Sequence, residues 1–103
     1  MKIDKESLKE YINNRYKREY IVHTIKSTII KKVRYNKDSV EPNSKYFETA
    51  LRYGNVHIDM IVVEWSGNSD GIFSNDRYNL FTLDGYQEWL IEVRDKKLLD
   101  LGI

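Results

Sequence analysis

The chain contains no cysteine. No disulfide, thiolate nucleophile or cysteine-based zinc site is open to it, and its fold needs no oxidising compartment. One proline and five scattered glycines form neither a P-loop nor a dinucleotide-binding fingerprint. Long apolar runs are missing too. The longest, Met60 to Val63, is far too short to span a bilayer, and no apolar stretch follows the opening Met1-Lys2-Ile3-Asp4-Lys5-Glu6. These absences lead to the expectation of a cytoplasmic protein with no membrane segment and no cofactor.

Net charge is also small, +1, but that total conceals two halves of opposite sign. Residues 1–38 hold eleven basic and five acidic side chains, and residues 39–103 hold six and eleven. A net +6 therefore stands against a net −5. Clustered charge of this kind bears on partners more than on fold, because it makes a field that attracts one class of surface and repels another. Hydrophobic residues at 41% and aromatics at 13% of 103 residues are enough for a single globular domain spanning 1–103. The abundance of Lys, Asn, Tyr and Ile suggests an AT-rich genome, such as that of a low-GC bacterium or its phage.

Helical spacing is plain at both ends. Asp4 is placed as an N-cap with Ile3 and Leu8 as a hydrophobic staple, and Leu8, Tyr11, Ile12 and Tyr16 form a stripe, predicting a helix over 5–17. Near the C-terminus, Asp84 and Gln87 read as a capping box ahead of the stripe Tyr86, Trp89, Leu90 and Val93, with Lys96, Lys97 and Gly102 at the far end. Between Tyr20 and Tyr35 helical and strand periods compete. The density of β-branched residues there, Ile21, Val22, Thr24, Ile25, Thr28, Ile29, Ile30 and Val33, favours a long strand. In that strand Ile21, Ile25, Ile29 and Val33 share one face, and Lys26, Thr28, Ile30, Lys32 and Arg34 share the other.

Residues 36–44 collect turn formers and the lone proline, and so make a surface loop. The alternation of Phe47, Thr49, Leu51 and Tyr53 predicts a strand that turns at Gly54-Asn55 into a second strand, Val56 to Trp65. Apolar residues on both faces of that second strand make it central. Ser66 to Gly71 reads as a flexible loop, followed by short strand pieces at Ile72-Phe73 and Tyr78 to Leu83 around Ser74-Asn75-Asp76. The order gives an α+β fold: N-terminal helix, three- to four-stranded antiparallel sheet, C-terminal helix.

Chemistry-bearing motifs are sparse. The loop from Ser66 places Asn68, Asp70 and Gly71 as a calcium loop would, but Ser66 and Arg77 stand where its first and last carboxylates belong. His57 and Asp59 share a strand face, which is the geometry of a His–carboxylate pair for a small hydrolase or nuclease, yet Glu64 is turned away from them by strand alternation. No enzyme is expected on this evidence.

Two surfaces remain. Lys26, Lys31, Lys32, Arg34 and Lys37, with Tyr20 and Tyr35 nearby, are candidates for phosphate contacts and base stacking. Helix–sheet–helix order resembles the double-stranded RNA-binding domains, although the last helix carries Glu88, Glu92 and Asp95 where that family presents lysines. The acidic half offers Glu64, Trp65, Asp70, Phe73, Asp76 and Tyr78, aromatic anchors among carboxylates that suit a larger protein, including one that normally holds nucleic acid. In size, lack of cysteine and patchy charge the chain resembles the small inhibitors that phages and mobile elements encode, such as anti-CRISPR proteins, a likeness of type that spans no aligned stretch. The leading expectation is a non-catalytic protein that occludes a larger protein stoichiometrically, with nucleic-acid binding as the alternative. A homodimer is a further expectation, since the opposite-signed halves can satisfy each other across a two-fold axis.

Overall fold

The computed structural model describes residues 2–100, with side chains described as far as residue 97. Helix α1 (Lys5–Arg15) leads into strand β1 (Tyr20–Asn36). A 3-10 turn (Lys37–Ser39) and helix α2 (Phe47–Tyr53) follow, and then strands β2 (Asn55–Ser69) and β3 (Ile72–Thr82) and helix α3 (Leu83–Asp100). The strands form one antiparallel sheet in the order β1-β2-β3. The fold is therefore α+β with a helix at each end, as the sequence predicts, and β2 is the central strand. Among the described residues no helix is long and apolar enough to cross a membrane.

Both faces of β2 are buried, but at opposite ends. Ile61, Val63 and Trp65 point to the face covered by α1 and α3, where they join Leu8, Tyr11 and Ile12, the β1 residues Val22 and Ile25, and Phe81, Tyr86 and Trp89. Val56, Ile58 and Met60, of opposite parity, pack with Ala50 of α2 and with Val33, Tyr35, Val40 and Tyr46. The strand is thus shared between two cores placed diagonally across the sheet.

Trp65 is the centre of the larger core and is fully buried, at 0% exposure. Its indole N–H donates to Asn79 Oδ1 at 2.9 Å, and Asn79 Nδ2 donates to the Tyr20 hydroxyl at 3.1 Å, so the one polar atom of the ring is satisfied. Along the outer edge of β1, α1 supplies polar partners. Asn13 accepts from the Val22 N–H at 2.7 Å and donates to the Val22 carbonyl at 3.0 Å, while Lys5 Nζ donates to the Lys26 carbonyl at 2.9 Å. These side chains block pairing along that part of the edge.

Several local expectations are overturned. Phe47 to Tyr53 is helix α2 and not a strand: Leu51 and Tyr53 are exposed, whereas Ala50, of the opposite parity, is buried. Gly54, at φ 81°, ends the helix in the left-handed conformation instead of turning a hairpin. The hairpin with a two-residue turn lies at Asp70-Gly71, φ 53° and 78°, between the paired Ser69 and Ile72. Ser66 to Ser69 therefore belongs to β2, and β3 runs unbroken through Ser74-Asn75-Asp76.

In β1, register shifts at Val22/Thr24 and Ile25/Ser27 break the strict alternation, so Val22 and Ile25 are buried while Ile21 and Ile29 are exposed. The N-terminal helix ends at Arg15, two residues short of expectation. Asp4 occupies the N-cap position, but its carboxylate accepts the Ser7 hydroxyl at 2.7 Å, which holds its pKa below the ordinary value.

Thr82 caps α3, its Oγ1 accepting the Gly85 N–H at 3.1 Å. Asp84, the expected cap, instead accepts the Tyr46 hydroxyl at 2.7 Å and pairs with Lys45 at 3.1 Å, tying the segment before α2 to α3. Burial, together with that carboxylate, pushes the Tyr46 phenol up to about 12. The stop expected at Gly102 lies outside the described residues.

At Gly67 the backbones of β1 and β2 and the Trp65 ring meet so closely that a methyl group would collide with the Ile21 carbonyl oxygen and come within 2.8 Å of the indole. Gly67→Ala is expected to lower stability by roughly 1–3 kcal/mol, the usual cost of overpacking a filled site, read as a lower urea midpoint. An unchanged midpoint would contradict this packing.

Candidate functional site

Because α2 covers only one end of its sheet face, the other end is open. Antiparallel register aligns three residues across this open end, Ile29 on β1, Val62 on β2 and Leu80 on β3, followed by a second row of Ser27, Glu64 and Tyr78. Beyond the register shifts a third row, Ile21, Asn68 and Phe73, returns to the same face, with the His23 ring against Phe73 at 5.6 Å between centroids. Ile29 is 63% exposed, Tyr78 64% and Leu80 47%, and Ile21 and Phe73 are exposed as well. Apolar exposure grouped on one face makes this the candidate interaction surface. Strand spacing makes this surface roughly 10 Å wide and 20 Å long.

Glu64 is held at the middle of this surface. Its carboxylate accepts the Ser27 hydroxyl at 3.0 Å on one oxygen and the Tyr78 hydroxyl at 3.0 Å on the other. The hydrogen bond that Tyr78 donates to Glu64, and then the carboxylate's negative charge, raise the Tyr78 pKa above its ordinary value. Both donors are neutral, and among the described residues Glu64 makes no ion pair.

The acidic and aromatic residues expected from sequence are only partly brought together. Glu64, Phe73 and Tyr78 lie on the open face. Trp65, expected there as an anchor, is the core residue described above, because alternation turns it toward α1 and α3. Asp70 stands at the hairpin turn. Asp76 receives Lys26 Nζ at 3.2 Å from across β2, and the same ammonium donates to the Asn75 carbonyl.

The basic set is divided in the same way. Lys26 is held by Asp76, and Lys32 lies 3.8 Å from Asp59. Register puts Lys31 on the α2 side, opposite Met60, and Lys32 and Arg34 on the other face, opposite Asp59 and His57. Lys37 begins the 3-10 turn. No continuous basic stripe results.

His57 and Asp59 do share a face, and both are exposed. Asp59 also borders a shallow groove of about 910 Å³ with Lys5, Thr28 and Leu83. Among the described residues no group of three or more His, Asp or Glu is placed to hold a metal ion.

Sequence reasoning missed Ile29, Val62, Leu80 and Ile21. The available signal was the excess of apolar residues on both faces of β2, which exceeds what one short helix can cover.

Glu64→Gln removes the charge while keeping the shape, so the Tyr78 phenol is expected to titrate lower, back toward its ordinary value. Ring-carbon chemical shifts against pH measure this. A phenol still raised in the variant would show that Glu64 is not its partner.

No family model, no curated protein and no solved structure matches this chain.

Proposed function

We propose that this chain is a small non-catalytic protein-binding module that occludes a larger protein stoichiometrically through the open sheet face. The observation that carries this reading is the exposure of Ile21, Ile29, Phe73, Tyr78 and Leu80 on one side of the three-stranded sheet. Aromatic and aliphatic side chains surrounding a single carboxylate form the apolar centre and polar contact of a binding surface. Burying a large, fully exposed apolar side chain contributes roughly 1.5–3 kcal/mol, and these five, each about half to two-thirds exposed, supply part of that gain toward the cost of docking. Occlusion by surface contact is also the mode of action that fits the likeness of type to phage- and mobile-element-encoded inhibitors.

Internal pairing supports a protein partner over nucleic acid. Arg15 pairs with Glu92, Lys26 with Asp76 and Lys32 with Asp59, so three of the eleven basic side chains of residues 1–38 are paired with the acidic half. Phosphate binding draws on cations in a continuous field; of the candidate set Lys26 and Lys32 are paired, and Lys31 lies on the opposite face from Lys32 and Arg34, so the set is not continuous.

Capture from a low-GC bacterial lysate tests the reading. The wild-type chain is expected to retain one defined protein at near-equal stoichiometry, and the Ile29→Asp/Leu80→Asp variant, folded by circular dichroism, to bind it at least about tenfold more weakly. Recovery of nucleic acid alone, or equal capture by the variant, would contradict the proposal. Self-association abolished by the same substitutions would replace the larger partner with a second copy.

A further inference from the structure

The open face leaves half of a layer empty. On the same side of the sheet α2 packs over Val56, Ile58 and Met60, and the rows of Val62, Glu64 and Asn68 continue that face with no element over them among the described residues. Helix α2 covers its end of this face as a single layer, Ala50 packing on Val56, Ile58 and Met60, so a segment that continued the layer beside it would be one helix thick. A length of roughly 20 Å accommodates about thirteen helical residues at 1.5 Å each.

Charge selects what such a helix must carry. Glu64 shares a row with Tyr78, between the apolar row of Ile29, Val62 and Leu80 and the aromatic Phe73. Its two oxygens are oriented by Ser27 and Tyr78 at 3.0 Å each, and neither donor neutralises it. A wholly apolar partner would strip water from this carboxylate and give nothing in return, which is costly. A guanidinium or ammonium would pair with it, and the Tyr78 ring beside it adds a face on which a cation is attracted. Lys26 of β1 is committed to Asp76 and the Asn75 carbonyl, and Arg77 of the hairpin donates to the Gly67 and Ile72 carbonyls, so neither pairs with Glu64.

We infer that the open face binds an amphipathic helix of the partner protein whose apolar side carries an Arg or Lys directed at Glu64. This rests on the proposed protein-binding role of the face and specifies its ligand. Ile29, Val62 and Leu80 receive the apolar side chains, and Glu64 sets register and orientation by accepting the cation.

A displayed library in which one face of a fixed helical scaffold is randomised tests the inference with a defined probe. Selection on the whole chain, with the Leu80→Asp variant as counter-selection, is expected to enrich faces that carry Arg or Lys flanked by apolar residues. Those binders should lose at least tenfold in affinity on Glu64→Gln, while selection on Glu64→Gln itself should show no preference for a cation. Enriched faces without Arg or Lys, or binders equally tight on Glu64→Gln but weakened by Leu80→Asp, would overturn the cation assignment and leave the docking face standing. Binders indifferent to both substitutions, or no enrichment on the wild type over Leu80→Asp, would overturn both readings.

Discussion

Everything in this fold depends on how β2 is covered. The strand is paired on both edges and carries apolar residues on both faces, so each face must be shielded from water. A chain of this length supplies two long helices and one short one. Both long helices are used on Ile61, Val63 and Trp65, which leaves the seven-residue α2 to cover the opposite face at Val56, Ile58 and Met60. The uncovered remainder, centred on Val62, is the candidate site. Its exposure follows from the distribution of the helices and not from local strain.

Trp65 and Gly67 show how tightly the larger core constrains the hairpin. The indole fills the space beneath Gly67, the Arg77 guanidinium lies over the ring at 5.6 Å, and the Tyr20 ring meets it edge-on. Register shifts at this point in both ladders let the strands bend around the ring. The same shifts turn Ile21 and Phe73 back to the open face. Packing on one side of the sheet therefore sets which side chains are displayed on the other.

The two long helices were legible in the sequence because their stripes, Leu8-Tyr11-Ile12 and Tyr86-Trp89, recur at the helical period and are buried accordingly. The length of β1 was legible from its β-branched residues, and the centrality of β2 from its two apolar faces. Helix α2 was not, because Gly54-Asn55 suits a helix C-terminus as well as a hairpin turn: both need a residue in the left-handed region. Facing parity in β1 was hidden by bulges that leave no signature in a run of β-branched residues. The site was legible only in Glu64, Phe73 and Tyr78. Its apolar row is invisible without register, since Ile29, Val62 and Leu80 come from three separate strands. The charge split, by contrast, was visible at once, and part of it is offset inside the molecule by Arg15–Glu92, Lys26–Asp76 and Lys32–Asp59.

The central claim is that one end of one sheet face is open in the free chain while the same strands are sealed on the reverse side. Attenuation of methyl signals by a soluble paramagnetic probe measures this residue by residue. The account predicts strong attenuation at Ile29 and Leu80, weaker attenuation at Val62, and none at Ile61 and Val63, in line with their exposure. Protection of Ile29 and Leu80 in the monomeric chain equal to that of Ile61 and Val63 would contradict it.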